Sequence, residues 1–408
     1  MKCEKCGAIY NITEPINTCK KCGGLLEVVY DYEQMINDDV PKKLKLPKES
    51  TDMWYYKDLL PHPETSEIIT LGEGGSVLRY LQRTSERLGI KIFAKYYGTN
   101  PTGTHKDLGM SVAMSMAKWL GIKVALTFST GNAATSLATY ANIANIRPII
   151  ITRTTISFEK LYNILALGAE VIQIEDLINP WEVLDQISKK INIYMFTNFI
   201  NPYRAEGHKT LAYEIYEKLK SDVDFVVVPL GTGGGLWGTW KGFKELKIFG
   251  LMNNLPRMVA VQPEAVMHTV KAYMEGKEVA KPYGNPANTI VQSLADSEPF
   301  YGAIRPLRVL KESNGIAVAV NDNEVVNSIL ELGKEGYFVE PAAATTLAGV
   351  EKALEQGLID KGETVVLSLT GSGLKQPEAI KDAVKGKTIK LSKNNYDALL
   401  RIIGGVAL

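Results

Sequence analysis

"VVPLGTGGGLWGTWKGFKEL", residues 227–246, passes from a β-branched apolar run through Gly231, Gly233, Gly234 and Gly235 into a helical pattern. A strand that feeds a glycine turn and then a helix is the repeating unit of a parallel sheet covered on both faces. The same unit recurs along the chain. Short runs "KIFAKY", "VALTFS", "PIIITR", "EVIQIE", "IYMFTN", "FVVVPL", "MVAVQP", "IAVAV" and "TVVLSL" alternate with helical stretches at 107–120, 131–143, 157–167, 206–220 and 342–356. So many strands exceed one comfortable sheet. The expectation is an α/β protein of two doubly wound, mostly parallel lobes with a cleft between them.

Composition supports a chain with real cores. Its 408 residues are 45% hydrophobic and 22% charged, and 46 Lys+Arg balance 45 Asp+Glu to a formal charge of +1. No global field draws such a molecule to nucleic acid or an anionic membrane, so a small-molecule partner is expected. "MKCEKCGAIY" lacks an apolar signal core and no run of about 18 apolar residues occurs, which reads as a soluble cytoplasmic protein.

All four cysteines, Cys3, Cys6, Cys19 and Cys22, fall in the first 22 residues as C-x2-C-x12-C-x2-C. Gly7 and Gly23 follow each pair and permit tight turns whose amides face thiolates. In a reducing compartment this pattern predicts a structural zinc ribbon, with a filled coordination sphere, rather than disulfides. It also excludes a cysteine nucleophile from the remaining chain. The expected organisation is a ribbon-like module at 1–30, a connector at 31–65 with one helix, and a two-lobed catalytic region at 66–385. Residues 107–205 form its smaller lobe, and a tail at 386–408 adds a strand and a closing helix.

Ligands of a parallel sheet collect at the carboxyl ends of strands, where helix N-termini offer free amides. Four loops stand there: "NPTGTHKDLG" (100–109), "STGNAATS" (129–136), "PLGTGGGLWG" (229–238) and "SLTGSGLK" (368–375). The glycine loop is not a dinucleotide fingerprint, since it lies mid-chain and lacks the acid about 20 residues on. No G-K-[ST] follows it, so it is not a P-loop either. Phosphate binding without a P-loop fits a cofactor monophosphate. Lys106 at a helix start has its ammonium disfavoured by the dipole, which favours an amine able to form a Schiff base. With Asn132 near one ring substituent and a hydroxyl near the ring nitrogen, the combination describes a pyridoxal phosphate site.

The segments "NPTGTHKD", "STGNAATSLATYA", "NPYRAEGHKTLAYEI", "VVPLGTGGGLWGTWKGFKEL", "VEPAAATTLAGV" and "LSLTGSGLK" resemble, in order, the motif series of threonine synthases, within the fold-type-II (tryptophan synthase β-like) pyridoxal phosphate enzymes. The ribbon is similar to that of some microbial members, and the resemblance covers roughly residues 1–385. It implies that Lys106 carries the cofactor and acts as acid/base, and that Asn132 bonds the 3-hydroxyl. It also implies that Gly231, Thr232, Gly233, Gly234 and Gly235 hold the phosphate, that Thr370 faces the pyridine nitrogen, and that Thr130, Asn198 and Arg204 contact substrate. The implied reaction is O-phospho-L-homoserine plus water to L-threonine plus phosphate, and a homodimer follows by analogy.

The chain departs from the family pattern at several positions. His105 stands for an aromatic residue, Leu108 for arginine, Phe199 for serine, His208 for glutamine and Ala133 for threonine, and "TIVQSLADSEP" (289–299) is also different. These differences keep two alternatives open. One is a β-replacement enzyme or a serine/threonine dehydratase of the same superfamily; the other is a non-catalytic paralogue. Glu340, before Pro341, reads as a helix cap. Trp237 and Trp240 read as packing residues, and His62 and His268 as surface or satisfied core groups.

Overall fold

The computed structural model describes residues 1–45, 52–65, 67–129, 131–154, 156, 158–175, 183–184, 186–187, 190–191, 193–197, 200–384, 388–393 and 395–404. A two-stranded antiparallel ribbon, β1 (Lys2–Cys3) with β2 (Leu26–Glu27), opens the chain. The main sheet joins β3 (Leu78–Tyr80), β4 (Lys91–Tyr96), β8 (Phe225–Pro229), β9 (Arg257–Pro263), β10 (Ile316–Val320) and β11 (Thr364–Leu369) in the order β10-β9-β8-β11-β4-β3. All its pairs are parallel except β3 with β4. A second, three-stranded parallel sheet holds β5 (Val124–Phe128), β6 (Arg147–Arg153) and β7 (Glu170–Ile174).

Burial explains which runs took central places. Every residue of β11 is buried, as are Phe225 to Val228 of β8, which marks strands covered on both faces. The last strand in sequence, β11, inserts between β4 and β8. That crossover gathers the loops after β4, β8 and β11 at adjacent strand ends, although they are far apart in the chain.

The helices that matter for the site are α1 (Lys106–Trp119), α2 (Asn132–Ile143), α3 (Arg204–Gly207), α4 (Thr210–Leu219), α5 (Gly234–Ile248), α6 (Ile304–Glu312) and α7 (Pro341–Glu355). Glycines let three of them cross at backbone distance. A Cβ on Gly109 would overlap the Arg204 carbonyl, one on Gly207 the Leu108 carbonyl, and one on Gly238 the Ala205 carbonyl. Forcing a methyl group into such a contact costs about 1–3 kcal/mol. Lys106, Arg204 and the glycine loop are thereby held at one crossing.

Some expectations need correction. Over its described residues, 193–197, "IYMFTN" forms no strand and gives only an isolated bridge, Met195 to Leu126. The stretch 206–220 is broken into α3 and α4 around His208 and Lys209. Residues 388–392 are not a strand, whereas the helix Tyr396–Gly404 is present. The connector is more than a spacer, since Met53, Trp54, Tyr56 and Leu59 are buried in the main core.

The ribbon docks through polar contacts as well as apolar ones. Asn17 exchanges two 2.8 Å hydrogen bonds with the Met195 backbone, and Tyr203 Oη donates to the Ile12 carbonyl at 2.7 Å. Behind α3, α4 and α5 lies a buried ionic network. Lys209 Nζ is 2.9 Å from Glu206 and 3.0 Å from Glu245, while Lys241 Nζ is 2.6 Å from Glu206 and donates to the Val28 carbonyl at 2.5 Å. Tyr30 donates to Glu206 at 2.7 Å, Tyr32 to Glu245 at 2.9 Å, and Tyr213 to Glu245.

Candidate active site

The turn 100–105 is fixed from both sides. Gly103 takes φ 70°, its N–H donates to the Asn100 carbonyl at 2.7 Å, and Asn100 Nδ2 donates to the Thr104 carbonyl at 2.9 Å. The turn bridges to the end of β11: His105 N–H donates to the Thr370 carbonyl at 2.9 Å and Ser372 N–H to the Gly103 carbonyl at 3.0 Å. Asp107 accepts from Thr102 N–H (2.8 Å), Thr102 Oγ1 (2.5 Å) and Ser136 Oγ (2.7 Å), tying the turn to α2. Burial nevertheless raises its carboxyl to about 6.

Lys106 begins α1, half-buried, in a small pocket shared with Arg204, His208, Thr232, Gly234 and Gly235. Burial lowers its ammonium to about 8, Arg204 pushes the same way, and Glu340 opposes. Desolvation therefore leads, where the sequence pointed to the helix dipole. Arg204 is 4% exposed. Its Nη1 donates to the Phe196 carbonyl at 2.7 Å, but its buried Nε has no partner. An orphaned guanidinium donor beside an amine is costly unless an anion answers it.

Gly233 caps α5 at φ 95°, a conformation suited to glycine, and a Cβ there would overlap Pro306 Cγ. The first-turn amides of α5 have no intrahelical acceptor. A concave backbone with free amides at a helix start, facing a lysine and an unpaired arginine, fits a phosphate-bearing cofactor. Asn132 opens α2, Thr370 follows β11 and Gly231 follows β8; none of the three lines the pocket around Lys106, but Asn132 and Thr370 meet at Glu340.

Glu340 departs from its expected role. It occupies the N-cap position of α7 without a side-chain capping bond. Its buried carboxylate instead accepts from Asn132 Nδ2 at 2.8 and 3.1 Å, with Thr370 Oγ1 at 3.5 Å. A Cβ on Gly371 would strike this carboxylate, so the glycine after Thr370 is what lets it in. Burial raises Glu340 above the ordinary carboxyl range, while Asn132, Lys375 and Lys106 pull it back. The signal available in the sequence was that glycine, placed directly after a site hydroxyl.

Two departures from the family pattern are neighbours. The rings of His105 and His208 lie 5.1 Å apart at 39°. His105 Nδ1 sits 3.2 Å from the Thr370 carbonyl, which fixes Nδ1–H and leaves Nε2 as an acceptor. Burial and then Lys106 hold both imidazoles well below the usual histidine range, so the pair is neutral. Leu108, 1% exposed, packs at the helix crossing beside them. Thr130, Asn198 and Phe199 lie outside the described residues.

At the ribbon, the four Sγ atoms all lie within 4.8 Å of one another, with Cys3–Cys22 at 3.5 Å and Cys6–Cys19 at 3.6 Å. Four thiolates about 2.3 Å from a tetrahedral zinc stand roughly 3.8 Å apart, so the cluster fits that ion. Gly7 and Gly23, at φ 72° and 66°, return their N–H groups to the carbonyls of Cys3 and Cys19. Trp237 and Trp240 are buried as expected, and His268 is a satisfied core group bonded by Gln262 and Thr269.

A family model described as pyridoxal-phosphate dependent enzyme matches residues 69–371. The threonine synthase of Methanocaldococcus jannaschii is 40% identical over 383 residues, covering 93% of each chain. That of Methanosarcina acetivorans is 36% identical over 412 residues, covering 100% of this chain and 99% of that protein. Among solved structures, processed threonine deaminase isoform 2 from Solanum lycopersicum superposes with a TM-score of 0.64 at 20% identity, covering 89% of this chain and 96% of its own. Maize serine racemase gives 0.63 at 20% identity, covering 76% and 92%. These structures speak for the fold. The chain belongs to the pyridoxal-phosphate dependent enzymes, in the family of the threonine synthases.

Proposed function

We propose that the protein converts O-phospho-L-homoserine and water to L-threonine and phosphate, using pyridoxal 5'-phosphate. The observation that carries the reading is the meeting of Lys106, depressed to about 8, with Arg204 and its unpaired Nε at the α5 N-terminus. Curated threonine synthases related over nearly the whole chain support threonine as the product, and the motif resemblance implies the phosphorylated substrate. When bound, the cofactor supplies the electron sink that makes α and β protons of an amino acid removable.

The chain's own groups then have distinct tasks. Lys106 would attach the cofactor, and its amine, near neutrality, would be able to take and return protons at Cα and Cβ of the substrate. Gly231, Thr232, Gly233, Gly234 and Gly235 hold the cofactor phosphate through backbone amides and a hydroxyl. Asn132 holds the 3-oxygen, its orientation set by Glu340. Thr370 would present a hydroxyl to the pyridine nitrogen, a partner that, unlike a carboxylate, would not hold a proton on that nitrogen. Arg204, with Thr130 and Asn198, contacts the substrate.

We assign zinc to Cys3, Cys6, Cys19 and Cys22 as a structural ion. The working form is a cytoplasmic homodimer acting on a small amino acid, without nucleic acid or membrane. No described helix is long and apolar enough to cross a membrane. The exposed Leu400 and Ile403 of the terminal helix offer apolar surface for a second copy. The deciding experiment is phosphate release from O-phosphohomoserine against O-phosphoserine. Turnover of the first with formation of threonine is expected; turnover of the second alone overturns the reading.

A further inference from the structure

The ribbon and the glycine loop are joined by one short helix, α6. Glu4, between Cys3 and Cys6, accepts from Arg305 Nε at 2.8 Å and lies 2.6 Å from its Nη2, with Arg308 Nη1 at 3.3 Å. Arg305 is 2% exposed and also donates to the Leu26 carbonyl at 2.8 Å, so its guanidinium is fixed on the ribbon at two points. The next residue, Pro306, occupies the space that a side chain on Gly233 would need. One turn into α5, the Trp237 ring lies 5.2 Å from the Arg305 guanidinium and 5.5 Å from that of Arg308. The α5 N-terminus thus packs on α6, and Glu4 ties α6 to the ribbon.

The backbone that enters α6 is strained. Tyr301, Gly302 and Ala303 take φ 48°, 63° and 53° in succession, and Ala303 is buried. The two positions other than glycine, Tyr301 and Ala303, would relax unless their surroundings held them. The Ala280 N–H on the Gly302 carbonyl at 2.8 Å holds the turn itself, and the Glu4–Arg305 pair fixes the helix that follows it.

We infer that Glu4 is a positioning residue for the phosphate-binding loop, holding Pro306 against Gly233 through Arg305. This rests on the reading that Gly231 to Gly235 bind the cofactor phosphate. Glu4 touches neither cofactor nor substrate, so its effect is confined to the phosphate end of the site.

The test compares pyridoxal 5'-phosphate with pyridoxal, which lacks the phosphate, as ligands of the full-length protein by equilibrium dialysis. Glu4→Gln is expected to weaken pyridoxal 5'-phosphate about tenfold while leaving pyridoxal unchanged. Arg305→Lys, which keeps the charge but loses the forked geometry, should do the same and serves if Glu4→Gln does not fold. Glu14→Gln, which breaks an exposed 2.6 Å pair with Lys20 in the same ribbon, should leave both ligands unaffected. Equal weakening of both ligands, or of neither, overturns the role of Glu4. Gly233→Ala separates the premise: if it abolishes the preference for the phosphorylated ligand and Glu4→Gln does not, the loop reading stands and the inference fails. If Gly233→Ala leaves the preference intact, the premise itself fails.

Discussion

Lys209 and Lys241 are answered by Glu206 and Glu245 at hydrogen-bond distance, whereas Lys106 and Arg204, at the other face of the same helix crossing, form no ion pair among the described residues. Burial works against Glu206, yet Lys209 and Lys241 outweigh it and hold the carboxyl at about 2. The same burial, with Arg204 adding to it and only Glu340 opposing, leaves Lys106 at about 8. One cluster satisfies every charge with another side chain of the protein. The other keeps an amine partly neutral and a guanidinium donor unsatisfied, which is the arrangement expected where the missing partner is a ligand.

Removing the amine should give the largest effect. Lys106→Ala is expected to lower threonine formation by at least about 10³-fold, measured as phosphate release, with far-UV circular dichroism unchanged. The depressed amine also sets a pH dependence. Cofactor capture requires the neutral form, so the rate at which the apoprotein takes up cofactor should climb as pH rises through about 8 and level off above it. A rate that is flat between pH 6 and 10 contradicts the assignment.

Glu206→Gln tests the paired cluster. It leaves Lys209 and Lys241 buried without a full counter-charge, and urea denaturation should show a loss of about 3–5 kcal/mol. Because Glu206 has a depressed folded pKa, its contribution is present above the ordinary carboxyl range, near 4.5, and is lost as pH falls towards 2. The wild-type advantage over the variant should therefore shrink across that window. An undiminished advantage at pH 2 would show that the network's worth is not ionic.

Glu340→Gln should act least, about tenfold on kcat/KM, by letting the Asn132 amide turn. A thermal midpoint close to wild type with lowered kcat/KM supports positioning. A lowered midpoint with normal kcat/KM would make Glu340 an architectural residue like Glu206.

The parallel-sheet pattern was legible because central strands must be apolar on both faces, and eight of the nine runs formed strands. "IYMFTN" has the same composition but ends as a single bridge at Met195, where Asn17 of the ribbon satisfies its backbone. Lys106 and the glycine loop were visible through local geometry, a helix start and a positive φ. Glu340 was not, because a glutamate before Pro341 has a good local explanation as a cap, and only Gly371, 31 residues later, admits its side chain to Asn132. His105 and His208 looked like two separate departures; in the folded chain they are one adjacent, tilted pair.

The sequence by itself determined the strand–helix alternation, the four-thiol cluster and the residue types able to hold a phosphate and an amine-linked ring, since these follow from periodicity, spacing and turn chemistry. Tertiary structure alone decided which charges would be answered. It inserted β11 between β4 and β8, crossed α1, α3 and α5 at their glycines, and placed Pro306 against Gly233. The physical reason is that desolvation and Coulomb energies depend on distances between residues remote in sequence, and local pattern does not encode those distances.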